Sequence, residues 1–192
     1  MYVAEIISTC TLLEVPLDYA EPTIGTLNIA IIKKPGSTPD AQEVLVNPGG
    51  PGGSSVAMVL TDYMSIQNKI GTGYSLIGID PRGVNNSGPS SDCFPGYPFQ
   101  SRNAFLSQAF ALADITSDAV LRHQHQAILA YGKWCTRMYS VNGTAKYAST
   151  VATAQDMLHY VELRAQDLGQ QPEEAKLWYY GCLLYTSPSP RD

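Results

Sequence analysis

Three features of the sequence predict an α/β fold with a mainly parallel sheet. Two strand-like segments open the chain as a hairpin, strand-like and helix-like segments then alternate, and the later strand 74–80 is continuously apolar. A continuous apolar run is typical of a parallel strand that is buried on both faces. Alternation of strands and helices after a hairpin therefore predicts a mainly parallel sheet with helices on both faces.

Local signals set the predicted boundaries. Pro16 cannot donate to a strand ladder, so the first strand is expected at a sheet edge, and Pro35-Gly36 ends the second strand. Ser149 or Thr150 is expected to cap the last helix, and Gly169 to end it. The predicted strands are 11–19, 26–34, 43–47, 74–80 and 176–180, the predicted helices are 55–70, 117–138 and 151–168, and 84–116 is expected to be irregular.

Composition narrows the class of protein. The chain has 192 residues, of which 44% are hydrophobic, and a net charge of −5, which suits about one globular domain. The absence of a Lys/Arg cluster argues against nucleic acid as a partner. No apolar run reaches the ~18 residues of a membrane span. The segment 1–7 lacks a basic flank and contains Glu5, so it is not expected to be a signal peptide.

The most informative motif is Asn47-Pro-Gly-Gly-Pro-Gly-Gly-Ser54, which follows a predicted strand and precedes a predicted helix. Its glycines let the backbone adopt positive φ and approach a ligand closely. Backbone amides in such a loop can point at a developing oxyanion. A nucleotide-binding loop is disfavoured because no Gly-Lys-Ser/Thr follows. The motif is therefore predicted to be an oxyanion loop, whereas the chemistry of Asp80-Pro-Arg-Gly83 alone favours a structural turn.

Four motifs follow one another along the chain: Val15-Pro-Leu-Asp-Tyr19, Asn47-Pro-Gly-Gly-Pro-Gly-Gly-Ser54, Gly78-Ile-Asp-Pro-Arg-Gly83 and Leu177-Trp-Tyr-Tyr-Gly181. Their order resembles that in the secreted tripeptidyl aminopeptidases and proline iminopeptidase-like enzymes of the α/β-hydrolase superfamily. The resemblance implies a Ser nucleophile, an acid and a His in that chain order. It also implies release of residues from the N-termini of short peptides through an acyl-enzyme, without a cofactor.

The resemblance gives roles to particular residues. Gly49 and Gly50 match the oxyanion loop, with Gly50 as the amide donor, and Gly181 matches the first glycine of the nucleophile elbow. Asp80 and Arg82 match a supporting turn, after which Asn85-Asn86-Ser87 replaces the usual Gly-x-Ser.

The cysteines and two possible N-glycosylation triplets bear on the compartment in which the intact protein is made. Cys93 and Cys135 lie where relatives tend to carry paired cysteines, so the resemblance implies a disulfide and a secreted parent. Asn-x-Ser/Thr triplets at Asn85 and Asn142 permit the same origin.

The end of the chain suggests a truncation at the elbow. Residues 182–192 match one reading frame of the transposase adapter used in sequencing libraries, so 1–181 is predicted to be a partial α/β-hydrolase domain and 182–192 a non-native tail. The nucleophile, acid and His of the family have no counterparts in the chain. The chain itself is therefore expected to be inactive.

Two alternatives remain open at this stage. The same fold also carries esterases and epoxide hydrolases, and a non-catalytic binding protein of this fold would lack the triad altogether. His123 and His125 are two residues apart rather than four and do not share a helix face, and His159 is expected at the surface. No metal site is predicted.

Overall fold

The computed structural model describes residues 8–90, 92–96, 103–104, 106–107 and 116–182. The segment 1–7 and the predicted non-native tail, apart from Cys182, lie outside the described residues, as does much of the segment expected to be irregular. The strands and helices are β1 (Thr9–Pro16), β2 (Thr26–Lys34), β3 (Glu43–Asn47), α1 (Ser55–Ile70), β4 (Ser75–Ile79), α2 (Asp118–Asn142), α3 (Thr150–Asp167) and β5 (Tyr179–Gly181).

The strands form one mixed sheet in the order β1-β2-β4-β3-β5. The predicted hairpin is confirmed, because β1 and β2 pair antiparallel from Thr9↔Lys33 to Pro16↔Thr26. β3 pairs parallel with both β4 and β5. β2 also pairs antiparallel with β4, a neighbour that local signals did not predict. The α/β class is confirmed, with β1 at one edge of the sheet as expected.

Helix boundaries follow capping signals. Ser54 caps α1 by accepting a hydrogen bond from the Ala57 amide, and Gly71 ends the helix with φ 103°. Of the two cap candidates for α3, Ser149 is the cap and accepts from the Ala152 amide. α2 runs four residues past its predicted end, to Asn142, because the helix terminates only at the left-handed Gly143.

Three strands are shorter or shifted relative to the prediction. β4, predicted over 74–80, spans Ser75–Ile79. β1 spans Thr9–Pro16 rather than 11–19, because the chain bends after Leu17 and enters a 3₁₀ helix at Pro22–Ile24. The last strand was predicted over 176–180, but β5 begins at Tyr179 and ends at Gly181.

The sheet is covered on both faces, as predicted. One apolar cluster joins the sheet to α3, and the other joins it to α1. The first cluster contains Val15, Ile29, Ile31, Leu45, Ile77, Ile79, Met157 and Tyr160, and the second contains Ala30, Ile32, Val46, Val56, Val59, Ile66 and Leu76. Alternate residues of β2 and β4 enter opposite clusters because successive strand side chains point to opposite faces.

The chain divides into two compact units, one made of residues 1–90 and 147–192 and the other of residues 91–146. The first unit holds the sheet, α1 and α3. In the second, Cys93 is joined to Cys135 of α2 by a disulfide with a Cα–Cα distance of 4.9 Å. The Trp134 indole N–H donates to the Cys93 carbonyl at 2.8 Å, and Phe94 stacks against Trp134.

None of the helices in the described part of the chain has the length and apolar content of a membrane span.

Candidate active site

The glycine loop (residues 47–54) leaves the carboxyl end of β3 and leads into α1. Asn47 is buried, and its side-chain Oδ1 accepts a hydrogen bond from the Gly49 amide at 2.6 Å. The Gly53 amide donates to the Gly49 carbonyl at 3.2 Å. A Cβ on Gly50, whose φ is 150°, would lie 2.6 Å from the Gly52 nitrogen. The loop therefore closes on itself so tightly that only glycine fits at this position.

The two glycines that were predicted to line the oxyanion loop differ in the hydrogen bonding of their amides. The Gly49 amide is already engaged by Asn47. The Gly50 amide has no acceptor among the described residues. Gly50 is therefore the one of the two whose N–H is available to a ligand.

The predicted start of the elbow lies directly beside this loop. Gly181 of β5 pairs with Asn47 of β3, and the Cys182 amide donates to the Asn47 carbonyl at 3.0 Å. Both strands run parallel, so their carboxyl ends meet at the same edge of the sheet. This edge is where open α/β sheets place their ligands.

Asp80 follows β4 at the same edge and is completely buried. Its Oδ1 accepts from the Ser54 hydroxyl at 2.7 Å and from the Val56 amide at 3.0 Å. Its Oδ2 accepts from the Asn85 side-chain amide at 3.1 Å. A carboxylate is stabilised at a helix N-terminus by the free amides and the helix dipole. Asp80 thus joins the end of the glycine loop to the Asp80 turn (residues 80–88).

The Asp80 turn is itself closed by Ser87. The buried Ser87 hydroxyl donates to the Asp80 carbonyl at 2.8 Å and accepts from the Ala30 amide at 2.9 Å. Asn85 adopts a positive φ of 50°, which asparagine tolerates better than most residues. Asn85-Asn86-Ser87 therefore forms an ordered turn, although it departs from the Gly-x-Ser of the resembling family.

Arg82 points away from the glycine loop and into a buried ion pair with Asp156 of α3. The Nε–Oδ2 distance is 2.7 Å and the Nη2–Oδ1 distance is 2.8 Å. The other guanidinium hydrogens bond to the carbonyls of Leu17, Tyr147 and Pro16. Burial alone would lower the pKa of Arg82, but the hydrogen bonds and charge of Asp156 outweigh it and raise the pKa. Arg82 is thus part of the scaffold.

Tyr19 completes this ion-pair cluster. Its hydroxyl donates to Asp156 Oδ1 at 2.9 Å, and the Arg82 guanidinium lies over its ring at 5.6 Å. Burial first, and then the negative charge of Asp156, raise the pKa of Tyr19. Sequence reasoning missed Tyr19 and Asp156 as part of this region, since they lie 137 residues apart and no local pattern connects them.

Each of the three histidines lies on a helix. His123 and His125 are exposed on α2, and His159 on α3 makes an edge contact with Tyr19 at 6.1 Å. Among the described residues, no cluster of three His, Cys, Asp or Glu side chains could hold a metal ion.

These features define a class of protein. A mixed sheet that begins with an antiparallel hairpin, continues with parallel strands and carries helices on both faces is consistent with the N-terminal portion of an α/β-hydrolase fold. No protein-family model matches the chain.

Comparison with curated proteins identifies relatives in this class. Serine protease Hip1 of Mycobacterium tuberculosis is 33% identical over 84 residues, which make up 44% of this chain and 16% of that protein. Carboxylesterase B of the same species is 39% identical over 85 residues, with the same shares. Tripeptidyl aminopeptidase of Streptomyces lividans is 36% identical over 87 residues, which are 43% of this chain and 16% of that protein. The chain is thus related, over part of its length, to serine hydrolases of the α/β-hydrolase family, and it matches only about a sixth of each relative.

Proposed function

We propose that the chain is the N-terminal part of a serine aminopeptidase that releases N-terminal residues or short peptides through an acyl-enzyme. The observation that carries the proposal is the Gly50 amide, which has no acceptor among the described residues. The loop that carries Gly50 begins at Asn47, which pairs with Gly181 of β5. A backbone amide in this place can stabilise the oxyanion that forms when a serine attacks a peptide carbonyl.

In the proposed reaction, a serine that follows Gly181 in the intact protein attacks the scissile carbonyl. Its proton passes to a histidine base, and the carbonyl oxygen becomes an oxyanion that accepts from the Gly50 amide. The leaving amine takes the proton from the histidine, and water then hydrolyses the acyl-enzyme. The serine, the histidine and the acid that orients it have no counterparts among the sequence motifs of this chain.

The experiment is an activity assay of the complete protein whose sequence contains this chain. We expect hydrolysis of peptide reporter substrates with a free N-terminus and weak hydrolysis of the same peptides after N-terminal acetylation. We also expect Gly50→Ala to lower kcat by about 10²–10³-fold, because its Cβ would meet the Gly52 nitrogen at 2.6 Å and turn the Gly50 amide away from the oxyanion, with the effect of losing an oxyanion donor. Gly73→Ala is the matched control, because a Cβ there meets nothing within 4 Å. Equal turnover of free and acetylated peptides would contradict the aminopeptidase assignment.

A second candidate is an esterase, favoured by the 39% identity to carboxylesterase B. Esterase and peptidase chemistry share the acyl-enzyme and the oxyanion loop, so the Gly50→Ala effect does not separate them. Turnover of simple carboxylic esters at a far higher kcat/KM than any peptide would assign the protein to the esterases.

We also propose that the parent protein is secreted. The Cys93–Cys135 disulfide supports an oxidising compartment, where such bonds persist. Alkylation of the native chain is expected to label the exposed Cys10 and Cys182 and to leave Cys93 and Cys135 unmodified. Labelling of Cys93 or Cys135 without reductant would remove this support.

A further inference from the structure

The bonds that Asp80 makes come from three separate parts of the chain. The Ser54 hydroxyl is at the end of the glycine loop, the Val56 amide is in the first turn of α1, and the Asn85 amide is in the Asp80 turn. The carboxylate is completely buried. One side chain therefore connects the glycine loop to a strand end and to a second loop.

Within the described part of the chain, the Asp80 carboxylate is held by hydrogen bonds alone. No Lys, Arg or His side chain in the described part of the chain forms an ion pair with it. A buried carboxylate without a cation depends on its hydrogen-bond donors and on the helix dipole. The end of the glycine loop and the start of α1 must therefore keep their hydrogen bonds to Asp80, because loss of these bonds would leave a buried charge unsatisfied.

Asp80 and Ser54 accept hydrogen bonds from two amides in the first turn of α1. The Val56 amide bonds to Asp80 and the Ala57 amide bonds to the Ser54 hydroxyl. These two helix amides are therefore not available to an oxyanion. The loop's own Gly50 amide remains available, and its direction depends on how the end of the loop is anchored.

We propose that Asp80 is a positioning residue that holds the glycine loop in the conformation in which the Gly50 amide meets the oxyanion. This proposal rests on the proposed function of the loop. Asp80 acts through Ser54 and the start of α1, and it does not touch the substrate. Its contribution should appear in the transition state more than in substrate binding.

The kinetic test uses the complete protein with Asp80→Ala and Asp80→Asn. Asparagine retains one oxygen that can accept from Ser54 and Val56, whereas alanine removes every bond. We expect kcat per active site, counted with a serine-reactive phosphonate, to fall on the order of 10²-fold for Asp80→Ala and less for Asp80→Asn, with KM changed far less. Asp62→Asn, an exposed acid of α1, is the control for charge and should match the wild type.

The kinetic outcomes discriminate between roles. Counting active sites removes the effect of unfolded protein, so a purely structural role of Asp80 would leave kcat per site unchanged and would overturn the proposal. A rise in KM with unchanged kcat would overturn it as well. If the wild-type protein neither turns over substrate nor reacts with the phosphonate, the proposed function fails instead.

A second measurement does not depend on activity. Hydrogen exchange of the peptide covering the glycine loop is expected to quicken in Asp80→Asn and in Asn85→Gly, a variant that keeps the positive φ and removes one bond to Asp80. Exchange in α2 should stay the same in both variants. Unchanged exchange in the glycine loop would refute the positioning role, whatever the enzyme assay shows.

Discussion

At the scale of single residues, the Arg82–Asp156 pair shows how much of the scaffold depends on one buried contact. Both side chains are almost fully removed from solvent, at 0% and 2% exposure. Every N–H of the guanidinium has an acceptor, and Tyr19 adds a bond to Asp156. The pair joins the turn after β4 to α3 and to the end of β1. Removal of either partner would leave a charge buried without compensation.

We expect Asp156→Asn to lower the free energy of unfolding by about 3–5 kcal/mol, the usual effect of breaking a buried ion pair on one side. The measurement is urea unfolding of the chain followed by circular dichroism. Asp167→Asn provides the control, since Asp167 pairs with Arg164 at a carboxylate that is 65% exposed. Such a surface pair contributes at most about 1 kcal/mol. Equal losses of unfolding free energy in both variants would show that the buried pair contributes no more to stability than the exposed pair.

At the scale of secondary-structure elements, the contact between β4 and α1 sets where the glycine loop ends. Gly78 of β4 faces the first residue of α1: a Cβ on Gly78 would lie 2.5 Å from the Ser55 carbonyl oxygen and 2.9 Å from the Ile32 side chain. The helix can therefore approach the sheet closely at its N-terminus. This close approach brings the Val56 amide within reach of Asp80.

Gly78→Ala is expected to destabilise the chain by about 1–3 kcal/mol, because the added methyl group forces α1 away from the sheet. Thermal unfolding of the variant is the measurement. Gly132→Ala in α2 is the matched control, since a Cβ there meets nothing within 4 Å. In a helix interior this change should stabilise by roughly 0.5–1 kcal/mol. A neutral Gly78→Ala would mean that α1 is not held against β4.

At the scale of the molecule, Tyr19 and Tyr160 have the most strongly raised pKa values among the described tyrosines of the unit that holds the sheet. Burial, followed by the charge of Glu43, raises the pKa of Tyr160, whose hydroxyl donates to Glu43 at 2.9 Å. The pKa of Tyr19 is raised in the same way, by burial and then by the charge of Asp156. Above pH 10.0, the ordinary tyrosine pKa, the unfolded chain releases protons that the folded chain retains. Stability is therefore complete below that pH and falls as the pH rises above it.

The free energy of unfolding measured with urea is accordingly expected to decrease from pH 10.0 upward, by up to about 1.4 kcal/mol per pH unit for each of the two groups, and the urea midpoint with it. Tyrosinate absorbance should show that at least two tyrosines, Tyr19 and Tyr160, ionise only on unfolding. In Tyr160→Phe, one of these late ionisations and its share of the pH dependence should disappear. A midpoint that is flat through this range would contradict the direction of both pKa shifts.

Local sequence signals were sufficient for several elements. β2, β3 and α1 have the predicted bounds, because Pro35-Gly36, the glycine loop, the Ser54 cap and Gly71 all act within a few residues of the boundary they define. The end of α2 was placed too early, although Gly143 was available as a signal. Such signals depend on backbone conformation and can be read from short windows of sequence.

The sequence by itself determined the α/β class, the hairpin and the place of the glycine loop between a strand and a helix. Only the tertiary structure decided that β2 pairs with β4, that Arg82 pairs with Asp156, and that Asp80 bonds to Ser54, Val56 and Asn85. These bonds join residues as far as 74 positions apart. Their strength comes from removal of water around matched donors and acceptors, a condition that exists only once the sheet and helices have packed.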